Sequence, residues 1–335
     1  MSEDNKFKVC VIGGGTGTVS ILNGLKKHDE IDLSVIVSMT DDGGSNRVVR
    51  DEFGLLPLSD LRKSIVALAQ TGNGVFRELF TYRFDKGEGL SGHTLGNLMM
   101  MALSDITGSE VHAIRKMCKL FNVRGKVIPV TLDDSRLVAR YEDGTIIKGE
   151  HWIDEPMEKY GDLKIEELML DPSAKAHEPA LEAISEADYI IAGPGDLYTS
   201  TITNIIVEGV AEAIKNSKAK YIFITNLMTK KGQTHWMKAS DMVDEISKYS
   251  KRKPDYVLIN NREIPEDILT KYKEDDEFPI KDNLNEDETY KIFKEDLIGE
   301  KEIVRQSGDV LVRSLVRHDS EKLRKVLYDI FTYEK

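Results

Sequence analysis

Residues 9–20, Val-Cys-Val-Ile-Gly-Gly-Gly-Thr-Gly-Thr-Val-Ser, decide the fold. The apolar run Phe7 to Ile12 reads as a buried strand, and an amphipathic stretch over about Thr18 to Lys27 reads as a helix. Between them stand Gly13, Gly14, Gly15, Thr16 and Gly17. A turn so small lets backbone N–H groups and a helix N-terminus approach an anion closely, which makes it a candidate phosphate cradle. The competing reading is a tight turn whose glycines serve close packing alone. No Gly-Lys-Ser/Thr follows, so the turn is not a P-loop. Thr18 stands where the dinucleotide fingerprint has its third glycine. The GGGTG string also occurs in tubulin-like GTPases, but there it follows a long nucleotide-binding segment rather than a first strand.

Working outward, Leu33 to Met39 reads as a second strand. It runs into Thr40-Asp41-Asp42-Gly43-Gly44, at about the distance where such folds place a ribose-binding acid. Asp41 and Asp42 also have the oxygen chemistry to hold Mg²⁺, or they shape a turn and no more. Ser59 or Asp60 caps a helix through Ala69. Thr94 caps another over LGNLMMMALSDIT, ended by Gly108, with Met99, Met100 and Met101 as core filling. Further strands are expected at Ala187 to Ala192, Tyr221 to Thr225, Asp255 to Asn260 and Val310 to Val316. Helices are expected at Ile202 to Lys215, at Ser240 to Tyr249 and from Asp319 or Ser320. This rhythm predicts an α/β chain with a Rossmann-like, doubly wound, mostly parallel sheet. Residues 1–335 are expected to form one domain. Short strands at Lys126 to Val130, Ser135 to Tyr141 and Thr145 to Trp152 suggest a β insertion over 124–153, with the last two joined by Asp143-Gly144. The charged stretch 263–296 reads as a surface excursion or a lid.

Ligands of open α/β sheets sit beyond the carboxyl ends of the strands. That rule gathers the first turn with Gly193, Pro194, Gly195, Asp196, Tyr198, Thr199 and Ser200 of GPGDLYTS, and with Asn226 of TNLMT. His93 and Asn97 lie at a helix start, where His93 either donates to a phosphate or serves as a cap. No His-Glu-x-x-His or Gly-x-Ser-x-Gly pattern is present, which argues against a zinc hydrolase and a serine hydrolase of those types. The formal charge of −12 argues against nucleic acid as a partner. No window approaches a membrane span, and the acidic start does not read as a signal peptide, so a cytoplasmic protein is expected. With only Cys10 and Cys118, no disulfide framework is expected.

In order, IGGGTGT, TDDGGSNRVVRDEFGLLPLSDLRKSIVALA, YRFDKGEGLSGHTLGNL, NVRGKVIPVTLDD, ADYIIAGPGDLYTS, NLMT and VRHD resemble the gluconeogenesis-factor (YvcK-like) family over almost the whole chain. That family is similar to 2-phospho-L-lactate transferase (CofD), an enzyme of deazaflavin biosynthesis, and shares its Rossmann-like fold. The resemblance implies a bacterial protein needed for growth and cell shape on gluconeogenic carbon sources, with a UDP-sugar such as UDP-N-acetylglucosamine as ligand. It places Gly13 to Gly17 at the phosphates, Asp41 and Asp42 at the crevice, and Asn97, Gly193 to Ser200 and Asn226 around the ligand. Tyr272 would stack on the base and Arg317 would pair with a phosphate. The alternative is a Mg²⁺-dependent transferase acting through Asp41 or Asp42. No bound flavin or nicotinamide is expected, and a homodimer is the default assembly. The chain departs from the family pattern at Asn46, Arg47 and Val48, which replace Ser, Gly and Arg, at Ser59 for Gly, and at Asp196 for Ser.

Overall fold

The structure is a computed structural model and describes residues 6–70, 74–87, 89–285, 289–300 and 315–333. Its main sheet has seven strands in the order β10-β9-β8-β7-β1-β2-β3, and every pair is parallel. They are β1 (Phe7–Ile12), β2 (Ile31–Val37), β3 (Lys126–Pro129), β7 (Tyr189–Ala192), β8 (Lys220–Ile224), β9 (Tyr256–Asn260) and β10 (Lys291–Glu295). The central strands are continuous apolar runs because helices cover both faces of such a sheet. Val11, Ile12, Ile190, Ile191 and Ile222 accordingly have no exposed surface. Cutting one of them back to Ala would cost about 2–5 kcal/mol. Helix Gly15–Leu25 packs against helices Ser59–Leu68 and Ser320–Tyr333, while Val210–Asn216 packs against Glu178–Ser185 and Ala239–Ser250. Strand β1 is the pivot: β2 and β3 lie on one side of it and β7 to β10 on the other. The loops leaving β1 and β7 thus lie at the switch point of the strand order, where open α/β sheets carry their ligands.

A second, antiparallel sheet has the order β5-β4-β6, made of β4 (Arg136–Tyr141), β5 (Ile146–Lys148) and β6 (Ile165–Asp171). It differs from the expected insertion in three ways. Lys126–Pro129 joins the main sheet beside β2, residues Glu150–Asp154 form a short helix rather than the end of a strand, and β6 lies beyond residue 153. The Asp143-Gly144 turn joins β4 to β5, with Gly144 at a left-handed φ of 85°. The stretch 263–296 contains helix Glu266–Glu274 and closes with β10, so part of it is the edge of the main sheet. The expected helix at Ile202 begins earlier, as a π-helical segment Leu197–Ile202, and breaks before Val210. Residues 310–314 of the expected last strand lie outside the described residues.

Candidate crevice at the ends of the first and seventh strands

The first turn opens directly into helix Gly15–Leu25, whose N-cap, Gly14, has no side chain to satisfy the free N–H groups of the first helical turn. Thr18 does something useful in the place of the absent glycine. Its hydroxyl donates to the Gly14 carbonyl at 3.0 Å and closes the turn on itself. The second turn lies in contact with the first: a Cβ on Gly17 would stand 2.2 Å from the Pro194 carbonyl oxygen, and one on Gly195 would stand 3.4 Å from that of Gly14. Gly17 is thus required by close approach. Gly15, by contrast, is required by its φ of 70° and faces open space up to the Ser200 hydroxyl at 3.8 Å. Asn226 braces this contact by donating its side-chain amide to the Gly195 carbonyl at 2.9 Å.

Beyond β2, Asp41 and Asp42 diverge in environment. Asp42 is buried and its oxygens accept from the Arg136 guanidinium at 3.2 Å and from the His151 N–H at 2.9 Å. Asp41 accepts the Gly43 N–H at 3.0 Å. Burial and then the Asp60 carboxylate push its pKa up to about 6, against the pull of Lys63, Gly43 and Asn46. Asp60 also reaches the first turn, since a Cβ on Gly14 would meet its Oδ2 at 2.2 Å. Helix Gly44–Phe53 starts beside these acids with no side-chain cap on its N-terminus.

Two of the departures from the family pattern meet here. Ser59 Oγ donates to the Asn46 side-chain oxygen at 3.0 Å, and that oxygen also accepts the N–H groups of Leu58 and Ser59. Asn46 ties Asp41 to the start of the next helix through its other end. Arg47 is exposed and lies 3.6 Å from Asp51. Arg50 is buried and spent on structure, donating to the Met39, Thr40 and Ser135 carbonyls and to Asp134. Asn97 is buried at the start of helix Leu95–Thr107, where its oxygen accepts from Arg62 and its amide donates to Ser45. Ser45 in turn contacts His93 Nδ1 at 2.8 Å, which links His93 and Asn97 to the uncapped helix start.

Sequence reasoning missed Lys230. Its ammonium lies 2.5 Å from Asp154 Oδ1 and 3.0 Å from Asp196 Oδ2. Asp154 reaches it from the helix that returns from the small sheet, and it also accepts from the Thr199 hydroxyl at 3.0 Å and Gln233 at 3.1 Å. Burial works against both charges of this group. The two carboxylates raise the Lys230 pKa, and Lys230 together with these hydrogen bonds holds Asp154 below the usual carboxylate range. Asp196 stays raised, by burial and by Asp154, despite Lys230. Glu277, from the 263–296 stretch, is pushed up to about 7 by burial, with Lys230 opposing. Burial and the neighbouring Asp41 and Asp154 raise Glu150 well above the carboxylate range. A Lys that follows an Asn by four residues carries no sequence signal of its own, so only the fold identifies it.

Tyr272 and Arg317 come from segments packed beside the end of β8, where Asn226 braces the second turn. The Tyr272 ring is enclosed with Leu227, Met228, Ile264, Ile298 and Val316, and its hydroxyl accepts the Val316 N–H at 3.1 Å. That enclosure leaves no ring face open for a base. Arg317 follows on the same segment, next to His318, which is buried against Thr225 at the end of β8. Among the described residues no three or more His, Cys, Asp or Glu side chains are grouped to hold a metal ion, and no helix is long and apolar enough to cross a membrane.

Residues 9–298 match the family described as 2-phospho-L-lactate transferase CofD. The chain is 43% identical to a "Putative gluconeogenesis factor" of Thermotoga maritima, covering 96% of this chain and 98% of that protein. It is 35% identical to the gluconeogenesis factor of Bacillus subtilis, covering 97% and 98%. A crystal structure of a Bacillus halodurans protein superposes with a TM-score of 0.85 at 35% identity, covering 96% of this chain and 99% of that one.

Proposed function

Since this chain belongs to the CofD family and is similar over nearly its full length to gluconeogenesis factors, we propose that it binds a nucleotide sugar of the UDP-N-acetylglucosamine type and regulates growth and cell shape on gluconeogenic carbon. The observation that carries this reading is the contact between the two glycine-rich turns at the β1/β7 divergence, where Gly17 admits the Pro194 carbonyl and both turns lead into helices without side-chain caps. N–H groups gathered in that way attract phosphate oxygens. The anion needs such a local field, because the molecule as a whole carries a charge of −12. Asn226 braces the second turn through the Gly195 carbonyl, while Asn97 is held by Arg62 and Ser45 beside the start of helix Gly44–Phe53. We assign the protein to the cytoplasm and expect a homodimer, which sedimentation velocity checks.

A second reading is favoured by Asp41, whose carboxyl is pushed up to about 6 beside Asp60. In a transferase this pair would meet Mg²⁺ and the donor phosphates, with the metal supplying charge neutralisation. Asp41 suits that role better than Asp42, whose two oxygens already accept from Arg136 and His151. Calorimetric titration with UDP-N-acetylglucosamine and GDP, each with and without Mg²⁺ and followed by product analysis, separates the readings. Binding of the UDP-sugar without conversion supports the regulator. A Mg²⁺-dependent preference for GDP supports the transferase and ends the first reading.

A further inference from the structure

Asp196 is out of place on a phosphate-binding turn. It stands at the N-cap of the helical segment Leu197–Ile202, which runs on into Thr203–Ile205. An aspartate there ordinarily swings its carboxylate over the N–H groups two or three residues ahead. Such a conformation would fill the turn's own donors and present a negative charge to any anion. Asp196 makes no such bond. Its carboxylate is turned instead to the Lys230 ammonium, 3.0 Å away.

Lys230 is itself fixed from three sides. Its ammonium is 2.5 Å from Asp154, and Asp154 is anchored by Thr199 and Gln233. Its backbone N–H donates to the Thr234 hydroxyl at 2.9 Å, and its carbonyl accepts from Gln233 and Thr234. Glu277 approaches from a third segment, with its carboxyl pushed up to about 7 by burial.

We infer that Lys230 is a positioning residue that holds the Asp196 carboxylate off the second glycine turn, and so keeps that turn's N–H groups open to a phosphate ester. The inference rests on the proposal that the two turns bind phosphate. It assigns no catalytic step. It also accounts for an Asp where the family pattern has Ser: the extra charge is tolerated because a lysine draws it away.

The test measures the affinity of UDP-N-acetylglucosamine by calorimetry for the wild type, Lys230→Gln, Lys230→Arg and the double variant Lys230→Gln/Asp196→Ala, with thermal unfolding to establish folding. Losing the charge-assisted contact releases Asp196 onto the turn, so Lys230→Gln should weaken binding about tenfold or more. Lys230→Arg keeps the charge and should stay within about threefold. Removing the carboxylate that would obstruct the turn should return the double variant to within about threefold of the wild type. Unchanged affinity in Lys230→Gln, or a double variant as weak as that single one, overturns the inference, because a lysine with a merely structural role would not be rescued by Asp196→Ala. Should Lys230→Gln fail to fold, the double variant compared with Lys230→Arg decides on the same criterion. If the wild type gives no binding at all, the reading of the crevice fails first and the inference falls with it.

Discussion

At the scale of single residues, the glycines of the first turn are required for different reasons, and substitutions can tell them apart. In Gly17→Ala the new methyl would sit 2.2 Å from the Pro194 carbonyl oxygen and 2.7 Å from its carbon. Both are backbone atoms, so the two turns must separate. We predict a loss of about 1–3 kcal/mol in urea-induced unfolding, as for other overpacked sites, together with loss of nucleotide affinity. Gly15→Ala has room for its methyl and suffers only from its left-handed φ of 70°, which costs about 1–2 kcal/mol. Gly17→Ala should therefore damage binding more than Gly15→Ala. The reverse order would mean that the turns do not meet as described. Asn46 and Ser59 supply a second prediction at this scale. Because their side chains share a hydrogen bond at 3.0 Å, a double-mutant cycle with Asn46→Ala and Ser59→Ala should give a coupling of about 0.5–1.5 kcal/mol. Strictly additive losses would show that the two departures from the family pattern are unrelated.

At the scale of elements, strand ends and some helix caps were the most legible features of the sequence; the cap expected at Ser59 or Asp60 does not form, because helix Ser59–Leu68 begins after Leu58 with no side-chain cap and both residues lie inside its first turn. Thr94 caps helix Leu95–Thr107 by accepting the Asn97 N–H, and Gly108 ends it at a left-handed φ of 62°. Thr94→Ala should lower stability by about 1 kcal/mol in chemical denaturation, and an unchanged midpoint would remove the cap from the account. The start expected at Asp319 or Ser320 is settled by Asp319, whose carboxylate accepts the N–H groups of Glu321 and Lys322. What stayed hidden were elements whose patterns are set by neighbours rather than by their own residues. β6, IEELMLD, pairs with β4 through alternation broken by two successive glutamates that face Arg140. β10, KIFKE, is a half-exposed edge strand inside a charge-rich stretch. Glu150–Asp154 is too short a helix for periodicity to show. The stacking role that the family resemblance implied for Tyr272 meets a ring enclosed by Leu227, Met228, Ile264, Ile298 and Val316.

His318 gives the element-scale pH prediction. Burial lowers its pKa from 6.5 to about 4, against the opposing bond with Thr225. The folded protein thus keeps His318 neutral where the unfolded chain would take up a proton. The associated stability is fully present above pH 6.5 and is lost as pH falls from there towards about 4. The full effect is on the order of 3 kcal/mol or a little more. His318→Gln should flatten the stability curve across that window, as read by urea unfolding at several pH values. An identical slope would assign the acid sensitivity to other groups.

At the scale of the whole molecule, the parallel sheet matters because it diverges at one place. The order β10-β9-β8-β7-β1-β2-β3 sends the loops after β1 and β7 to opposite sides of the sheet at their roots, yet Gly17 and Pro194 bring them back together above it. The small antiparallel sheet contributes by returning a helix to the same rim, where Glu150 and Asp154 meet acids from the main sheet's loops. An acidic molecule with several buried carboxylates around this site would bind a phosphate ester only through local donors, which we propose the two turns supply. Both turns would then hold the ligand's phosphates. Amide hydrogen exchange measured with and without UDP-N-acetylglucosamine tests this most directly. The account predicts slowed exchange at residues 14–18 and 197–200 together, with little change along β4 to β6. Saturating ligand that leaves both turns exchanging at their free rates would contradict it.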